Sequence, residues 1–388
     1  MKKVIILGGG FAGVEVAIKL QKSKLFEVTL ISERDYLYLY PVSIWVPTGE
    51  IDFENTKLPL GEIQKKYPFR LIIDKVESVT SSENTVLLQK QTLTYDYLVI
   101  ATGSDKMKPK GAEHTFTICG APEGNLAFKN EFLKLVEKGR GNIAIGFGGN
   151  PKDKSAVRGG PAFEMIFNID HYLRKKKIRD NFNLTFFAPM EEPGAKMGKT
   201  AMKMVHSLFK KQNLKQKFGL KIKEFESDGI VFEDDSKLDS DLTMFIAAGT
   251  GSAIYKNSGL AISESGFIQI DKFCKVKSNH NIYAVGDAAA LEGPELASKQ
   301  GHLAEIMGRI AAHNIIETEK GSHNYQDFQK HISILCVMDT GNGAAYVYRD
   351  SKKAFVIPMP VVGHWMKKAW GKYVKWSKTG KIPRLPGM

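Results

Sequence analysis

The spacing of apolar and polar positions predicts a strand, a tight turn and a helix at the start of the chain. An apolar run opens the sequence, and the spacing Gly8-x-Gly10-x-x-Gly13 follows it directly. After the helical pattern, a second apolar run over residues 28–31 leads to Glu33. Continuous apolar runs that alternate with helices are typical of a parallel sheet covered on both faces.

This spacing predicts a turn that binds the pyrophosphate of a dinucleotide. Gly8 permits the tight turn, Gly10 lets the backbone approach the pyrophosphate, and Gly13 lets the helix pack close to the strand. The first helical residues, Phe11 and Ala12, present backbone N–H groups and the positive end of the helix dipole to phosphate. An acid about twenty residues further on, here Glu33, is expected to bind a ribose hydroxyl.

A second strand-and-glycine pattern occurs in the middle of the chain, but its turn is longer. An apolar run over residues 142–147 leads to Gly148 and Gly149, whereas the next helical pattern begins only near Gly159 and Gly160. A pyridine-nucleotide site needs its helix close behind the glycines, because the helix N-terminus binds the pyrophosphate. The long charged loop therefore predicts a degenerate nucleotide motif and disfavours NADH.

These patterns predict an α/β protein with two Rossmann-like dinucleotide-binding domains and a C-terminal membrane-docking region. We assign residues 1–105 and 241–320 to a discontinuous first domain, to which the strand at the start of the second segment returns the chain. Residues 106–240 form the second domain, and residues 321–388 form a C-terminal cap. We expect a helix over residues 295–314 to close the first domain.

Composition narrows the class of protein. The chain has 388 residues, of which 43% are hydrophobic and 25% charged, and this fits a globular protein of two or three domains. Its three cysteines have no CxxC spacing, which argues against a disulfide framework and a structural zinc site, and we expect no metal. No apolar stretch is long enough to span a bilayer. We expect no signal peptide and a cytoplasmic or cytoplasm-facing site.

The net charge of +13 is unevenly distributed. Residues 355–388 contain seven lysines or arginines, no acidic residue and three of the four tryptophans, Trp365, Trp370 and Trp376. At helical spacing the aromatic rings fall on one side, while Lys367 and neighbouring lysines fall largely on the other. This predicts an amphipathic helix at a membrane interface. A cationic helix packed on the core is the alternative, and nucleic acid is not expected as a partner.

Two further strands end in turns that resemble those of the flavoproteins with two dinucleotide-binding domains, the glutathione-reductase-like superfamily. One strand ends at Ala101, Thr102 and Gly103, and the other at Gly286 and Asp287. The resemblance implies that the dinucleotide is FAD. It also implies that Asp287 contacts the ribityl-phosphate part of that cofactor.

Over nearly its whole length the chain resembles the sulfide:quinone oxidoreductases and the flavocytochrome c sulfide dehydrogenases. The resemblance rests on Pro41, which follows a tyrosine-rich segment, and on residues 117–119, 160–165, 297–305 and 336–341. It implies FAD-dependent transfer of two electrons from sulfide, or a related sulfur species, to a membrane quinone.

The same resemblance implies roles for four side chains. Cys336 matches one of two redox cysteines that take sulfur on one face of the flavin. Cys119 matches a residue that carries a thioether to the flavin in some members. Lys299 and Glu305, both expected on a helix near the flavin, stabilise the reduced cofactor and relay protons to the quinone.

The chain departs from the family's pattern at Arg158, where the partner of Cys336 belongs. No cysteine occurs between Cys119 and Cys274, so a shift of register does not supply one. Arg158 is expected to lower the pKa of Cys336, since a nearby cation favours the thiolate. Cys336 then forms a persulfide that an external thiol resolves, or it pairs with Cys119.

The sequence leaves three functions open. The first is a sulfide:quinone oxidoreductase at the membrane periphery, with a membrane quinone, a small sulfur substrate and the membrane surface as partners. The second is a type II NADH:quinone dehydrogenase, which shares the fold but carries an intact second glycine turn. The third is a flavin-binding membrane protein that has lost sulfide turnover. A homo-oligomer stays open in each case.

Overall fold

The computed structural model describes residues 1–385. Their eight α-helices are α1 (Phe11–Ser23), α2 (Tyr40–Ser43), α3 (Leu60–Lys66), α4 (Gly124–Glu137), α5 (Gly160–Lys175), α6 (Lys199–Lys211), α7 (Gly301–Glu319) and α8 (Val362–Lys378). Their strands are β1 (Lys2–Leu7), β2 (Phe26–Ser32), β3 (Tyr36–Tyr38), β4 (Lys57–Pro59), β5 (Arg70–Ile73), β6 (Val76–Thr80), β7 (Thr85–Leu88), β8 (Thr92–Thr94), β9 (Tyr97–Ile100), β10 (Asp105–Lys106), β11 (Gly141–Phe147), β12 (Phe182–Ala188), β13 (Lys215–Phe218), β14 (Ile222–Glu226), β15 (Gly229–Phe232), β16 (Lys237–Asp239), β17 (Leu242–Ile246), β18 (Gly249–Thr250), β19 (Ile268–Gln269), β20 (Ile282–Ala284), β21 (Ala289–Ala290), β22 (Ile334–Asp339), β23 (Gly343–Arg349) and β24 (Ala354–Pro360).

A five-stranded parallel sheet contains the strand that precedes the first glycine turn. Its spatial order is β20, β9, β1, β2 and β5, so the chain moves from β1 to one side and returns to the other with β9. The four apolar residues that end β1 are all buried, because α1 packs on β1 and β2 and is itself covered by α7. The reversal of strand order leaves a crevice at the carboxyl ends of β1 and β9, where open α/β sheets bind their ligands.

A second parallel sheet has the order β13, β12, β11 and β17. We predicted that the strand following residue 241 returns the chain to the first domain, and this is wrong. Leu242–Ile246 pairs with residues 143–147 of the second sheet, and all five of its residues are buried there. A sheet edge with unpaired backbone groups is stabilised when another strand pairs with it. Here β17 pairs with the free edge of β11. The chain rejoins the first sheet only at β20.

The helix that closes the first domain begins later than predicted. α7 covers Gly301–Glu319, rather than residues 295–314, because Gln300 is extended, with φ −134° and ψ 149°. Lys299 therefore precedes the helix, and its backbone N–H donates to the Ser155 carbonyl oxygen at 3.0 Å. The prediction that Lys299 is helical is wrong, whereas Glu305 does lie on α7.

The C-terminal region is an antiparallel sheet of β22, β23 and β24 followed by α8. β24 is an edge strand, which explains how it accommodates Pro358 and Pro360 without losing ladder hydrogen bonds. α8 packs against this sheet and against α2 of the first domain. Within residues 1–385, no helix combines the length and the apolar character needed to cross a bilayer.

Candidate functional site

A cavity of about 2050 Å³ begins at the carboxyl end of β1 and extends to the inner side of α8. It exceeds the roughly 300–1,000 Å³ of ordinary small-molecule pockets, so it has room for a dinucleotide and a second ligand. It is lined by every residue that the sequence analysis assigned to cofactor binding or catalysis except Gly13, namely Gly8, Gly10, Phe11, Ala12, Glu33, Pro41, Ala101, Thr102, Gly103, Cys119, Gly286, Asp287, Lys299, Glu305 and Cys336.

The first glycine turn has the geometry of a phosphate cradle. Gly8 has φ +109°, a conformation that side chains disfavour, and a Cβ at Gly13 would collide with the Gly8 carbonyl oxygen. A Cβ at Gly10 would meet nothing within 4 Å, so this face is open to the cavity. The N–H groups of Phe11 and Ala12 lack intrahelical acceptors because they begin α1. These features fit the pyrophosphate of a dinucleotide.

The remaining predicted binding residues surround that turn. Glu33 follows β2 and is exposed at the cavity, as the predicted contact with a ribose hydroxyl requires. Pro41 lies in the first turn of α2, and Thr102 Oγ1 is 2.9 Å from the hydroxyl of buried Tyr255. Gly286 has φ +65° and turns Asp287 into the cavity. The cavity wall thus brings together the Glu33 carboxylate, the open face of Gly10 and the backbone N–H groups at the start of α1.

Arg158 occupies the position expected for the second redox cysteine. Its guanidinium forms an ion pair with the Asp287 carboxylate, and both side chains are mostly buried in the cavity wall. The pair joins the loop before α5 to the turn after β20. The acid expected beside the cofactor therefore already has a cationic neighbour.

The two thiols in the cavity have different charged neighbours. Burial, reinforced by Glu164, raises the pKa of Cys336 to about 12, and the cation that opposes this is Lys367. Burial also raises the pKa of Cys119, against the influence of Arg158 and Lys106. The prediction that Arg158 activates Cys336 is wrong, since its charge acts on Cys119 instead. Both cysteines are free thiols.

Lys299 is 4% exposed, although its side chain carries an ammonium group. Nζ donates to the Ala289 carbonyl oxygen and lies 3.7 Å from the centroid of the Phe267 ring. Burial lowers the pKa of Lys299 to about 7, with Asp153 opposing the shift and Arg158 adding to it. A group with this pKa exchanges a proton near neutral pH, as acid–base chemistry at a flavin requires.

Glu305 belongs to a buried cluster of ion pairs that holds the C-terminal end of the chain. Lys378 Nζ lies 2.6 Å from Glu305 Oε1 and also contacts Glu15 on α1, while Arg384 Nη2 lies 3.0 Å from Glu305 Oε2. Burial alone would raise the pKa of Glu15, but Lys378 and Arg384 overcome it and hold that pKa at about 2. Sequence reasoning missed this cluster. The sequence feature that could have indicated the cluster is Glu15, a carboxylate on the otherwise apolar buried face of α1.

A second polar network, also missed, runs from the cavity to the surface. The Lys367 ammonium contacts the Glu164 carboxylate, which accepts the Asp339 backbone N–H at 2.8 Å. His364 Nδ1 is 2.7 Å from Asp339 Oδ2, and its Nε2 is 2.6 Å from Glu50 Oε1. These two carboxylates raise the pKa of His364 to about 9, against the effect of burial.

The lysines and apolar side chains of α8 are distributed over its two faces differently from the prediction. Lys367 and Lys378 point into the protein and are buried, so the expected cationic face is only partly available to lipid. The outward side carries Val362, 67% exposed, and Trp365, 64% exposed, with Met366 and Trp376 beside them. Large apolar side chains that are exposed together mark an interaction surface.

Residues 2–304 match the model of a family described as pyridine nucleotide-disulphide oxidoreductase. The chain belongs to this family. Its members and the relatives below imply a flavin cofactor, for which the cradle described above is suited.

Relatives of two different activities match most of the chain. A sulfide-quinone reductase of Aquifex aeolicus (strain VF5) is 26% identical over 410 residues, covering 98% of this chain and 92% of the relative. A type II NADH:quinone oxidoreductase of Staphylococcus epidermidis (strain ATCC 12228 / FDA PCI 1200) is 24% identical over 386 residues, covering 91% and 92%. Membership of the family is therefore compatible with either kind of electron donor.

Solved structures agree on the fold. The sulfide:quinone oxidoreductase from the hyperthermophilic bacterium Aquifex aeolicus superposes with a TM-score of 0.88 at 24% identity, covering 98% of this chain and 92% of that one. NDH2 from Plasmodium falciparum in complex with NADH gives a TM-score of 0.74 at 13% identity, covering 100% and 99%. The predicted α/β fold of the glutathione-reductase-like type is confirmed.

Replacing Lys378 by methionine should destabilise the protein. The change leaves the Glu305 and Glu15 carboxylates buried with fewer cations, and breaking one partner of a buried pair costs about 3 kcal/mol or more. Chemical denaturation at neutral pH measures the loss, with Lys372→Met on the exposed side of α8 as the matched control. Equal stability of the two variants would contradict the assignment.

His364 should make stability depend on pH in the alkaline range. Its folded pKa of about 9 lies above the ordinary 6.5, so the imidazolium stabilises the fold fully below pH 6.5, and this contribution is lost as the pH rises through 9. His364→Gln should flatten the melting temperature between these values. His206→Gln, at an exposed position on α6, is the control and should keep the wild-type profile.

Proposed function

We propose that this protein is an FAD-dependent oxidoreductase of the sulfide:quinone oxidoreductase type. The observation that carries the proposal is the single cavity that joins the dinucleotide cradle, both thiols and the inner side of α8. A donor and an acceptor of electrons can thus reach one cofactor from different directions. A relative with this activity in its name aligns over 98% of this chain.

FAD is the cofactor that the site residues fit best. Gly8, Gly10 and the start of α1 would hold its pyrophosphate, Glu33 its ribose, and Asp287 its ribityl part. When bound, FAD supplies the two-electron chemistry. Buried Lys299 would tune the cofactor through its charge, since groups near the flavin ring set its reduction potential.

The donor side is the end of the cavity that holds Cys119 and Arg158. Sulfide or a related sulfur species would enter there. It would react at Cys336, the cysteine that matches the redox position of the family, which lines the same cavity and has Glu164 and Lys367 as its charged neighbours. Because burial keeps Cys336 protonated at neutral pH, it needs a base or a cofactor-induced change before it becomes a nucleophile. The sulfur donor must therefore contribute more of the reactivity than in a protein with two cysteines.

The acceptor side is the end of the cavity beneath α8. Lys367, Trp370 and Tyr373 line it from α8, while Val362 and Trp365 of the same helix face outward. A membrane quinone would enter between these two surfaces when the exposed apolar side lies in the bilayer interface. We therefore propose a location at the membrane periphery rather than across the bilayer.

The rival NADH dehydrogenase function is disfavoured by the second glycine turn. Only residues 8–10 separate β1 from α1, whereas residues 148–159 separate β11 from α5. That loop is held in place by Asn150 Nδ2, which donates to the Gly249 carbonyl oxygen at 2.9 Å. A pyrophosphate at this turn would lack a helix N-terminus close behind the glycines.

An anaerobic titration followed by flavin absorbance tests the donor. Stoichiometric sulfide should bleach the purified holoenzyme, whereas NADH should not. Cys336→Ala should slow bleaching by sulfide at least about tenfold, the usual loss when a nucleophile is removed. Cys274→Ala is the matched control, because Cys274 is buried in the core away from the cavity.

Three results of that titration would contradict the proposal. Bleaching by NADH would assign the protein to the dehydrogenases. Bleaching by dithionite alone would indicate a flavin-binding protein without sulfide turnover. Equal rates for Cys336→Ala and the wild type would remove Cys336 from the mechanism.

Binding to lipid vesicles tests the membrane interface. The double variant Val362→Ser with Trp365→Ser should reduce co-sedimentation with vesicles of phosphatidylcholine and phosphatidylglycerol by about tenfold or more, given about 1.5–3 kcal/mol for each large apolar side chain. Ile73→Ser with Leu87→Ser, both 41% exposed on another part of the surface, is the matched control. Equal binding of both double variants would contradict the assigned face.

A further inference from the structure

Three cationic side chains line the donor side of the cavity around Cys119. They are Lys106 on β10, Arg158 before α5 and Lys299 before α7, and we call them the cation pocket. The segments that carry Lys106 and Arg158 are neighbours, because Lys106 pairs with Gly249 on β18, and Asn150, in the loop that ends at Arg158, donates to the Gly249 carbonyl oxygen. Both cations oppose the rise in the pKa of the Cys119 thiol. Three separate segments of the chain thus bring positive charge to one place.

The positive charges of the cation pocket outnumber the carboxylates that pair with them. Arg158 pairs with Asp287, and the ammonium of Lys299 is satisfied by the Ala289 carbonyl oxygen and the Phe267 ring. Within residues 1–385, no carboxylate or hydrogen-bond acceptor contacts the ammonium of Lys106. Lys106 is half-buried, and burial together with the neighbouring Arg158 lowers the pKa of Lys106 to about 8.

None of the nearby acidic groups is free to supply that partner. The Glu164 carboxylate is held by Lys367, and Asp153 accepts hydrogen bonds from the backbone and hydroxyl of Ser155. Asp105 is exposed on the neighbouring strand position. The thiols do not help, because burial raises the pKa of both Cys119 and Cys336.

The start of α5 adds further positive potential. Gly159, Gly160 and Pro161 line the cavity directly after Arg158, and α5 is a helix of sixteen residues. Its N-terminal N–H groups and dipole favour an anion beside them. The pyrophosphate of FAD is accounted for by Gly8, Gly10 and α1, so the cation pocket is available to another anion.

We propose that Lys106 and Arg158 form an anion-binding subsite, so that the electron donor reaches the flavin as a small sulfur-bearing anion. The subsite deepens the proposed function and rests on it for the identity of the donor. Hydrosulfide, persulfide and thiosulfate share the required chemistry, a compact anion with an exposed sulfur atom. A second cysteine would bind the sulfur covalently, whereas in this chain Lys106 and Arg158 bind the anion through electrostatic attraction.

Equilibrium binding tests the subsite without turnover. Sodium thiosulfate and sodium sulfate are titrated into the oxidised holoenzyme in the absence of quinone, at ionic strength held constant with chloride. Isothermal calorimetry and the visible flavin spectrum report binding. Arg158→Met and Lys106→Met should each weaken affinity for thiosulfate by about tenfold or more, the loss of one charge-assisted contact.

Two further variants serve as controls. Arg158→Lys keeps the charge and should restore most of the affinity that Arg158→Met loses. Lys152→Met removes a cation of the same loop that is exposed, pairs with Glu264 at 2.8 Å and does not line the cavity, so its affinity should equal that of the wild type.

The results separate the subsite from the proposed function. Absence of saturable binding in the wild type, or unchanged affinity in both methionine variants, would overturn the subsite. A fall in flavin content with unchanged thiosulfate affinity would overturn it as well, because the cations would then serve the cofactor. Saturable anion binding that depends on Arg158 and Lys106 would support the subsite even where sulfide fails to reduce the flavin, a failure that counts against the proposed donor alone.

Discussion

The architecture of the site depends on buried ion pairs between the C-terminal helix and the two Rossmann-like parts of the chain. Lys378 reaches Glu15 and Glu305 of the first domain, and Lys367 reaches Glu164 of the second. Charges taken out of water are costly unless they are paired. The pairs therefore fix α8 in one position, because displacing it leaves several buried carboxylates without cations.

Fixing α8 in this way gives its two sides opposite properties. Two lysines of the helix, Lys367 and Lys378, pair with carboxylates inside the protein, whereas Trp365 and Val362 lie on the outside. The same helix becomes the wall of the cavity and the apolar surface of the molecule. In the proposed function, a sulfur donor would reach the cofactor near Arg158 and a quinone would reach it near Lys367.

Sequence reasoning predicted the parts of this arrangement that local pattern determines. The strand–glycine–helix unit at Gly8–Gly13 follows from backbone geometry alone, and the long turn before Gly160 is visible as a missing motif. The assignment of the strand at 242–246 failed, because an apolar run does not reveal which of two sheets it joins. The prediction that the lysines of α8 form a cationic face was wrong for Lys367 and Lys378, for a related reason. Helical periodicity separates apolar from charged positions. Only the tertiary fold shows that the buried carboxylates of Glu15 and Glu164 form ion pairs with Lys378 and Lys367.

Reoxidation of reduced flavin by quinone is the most direct test of the acceptor side beneath α8. The holoenzyme is reduced anaerobically with dithionite and mixed with a short-chain benzoquinone in a stopped-flow instrument. We expect rapid reoxidation in the wild type and in Lys372→Met, and reoxidation slowed about tenfold or more in Lys367→Met, since a cation at the acceptor stabilises developing negative charge. A wild-type flavin that stays reduced in the presence of quinone, or equal rates in all three proteins, would contradict this assignment of the acceptor side.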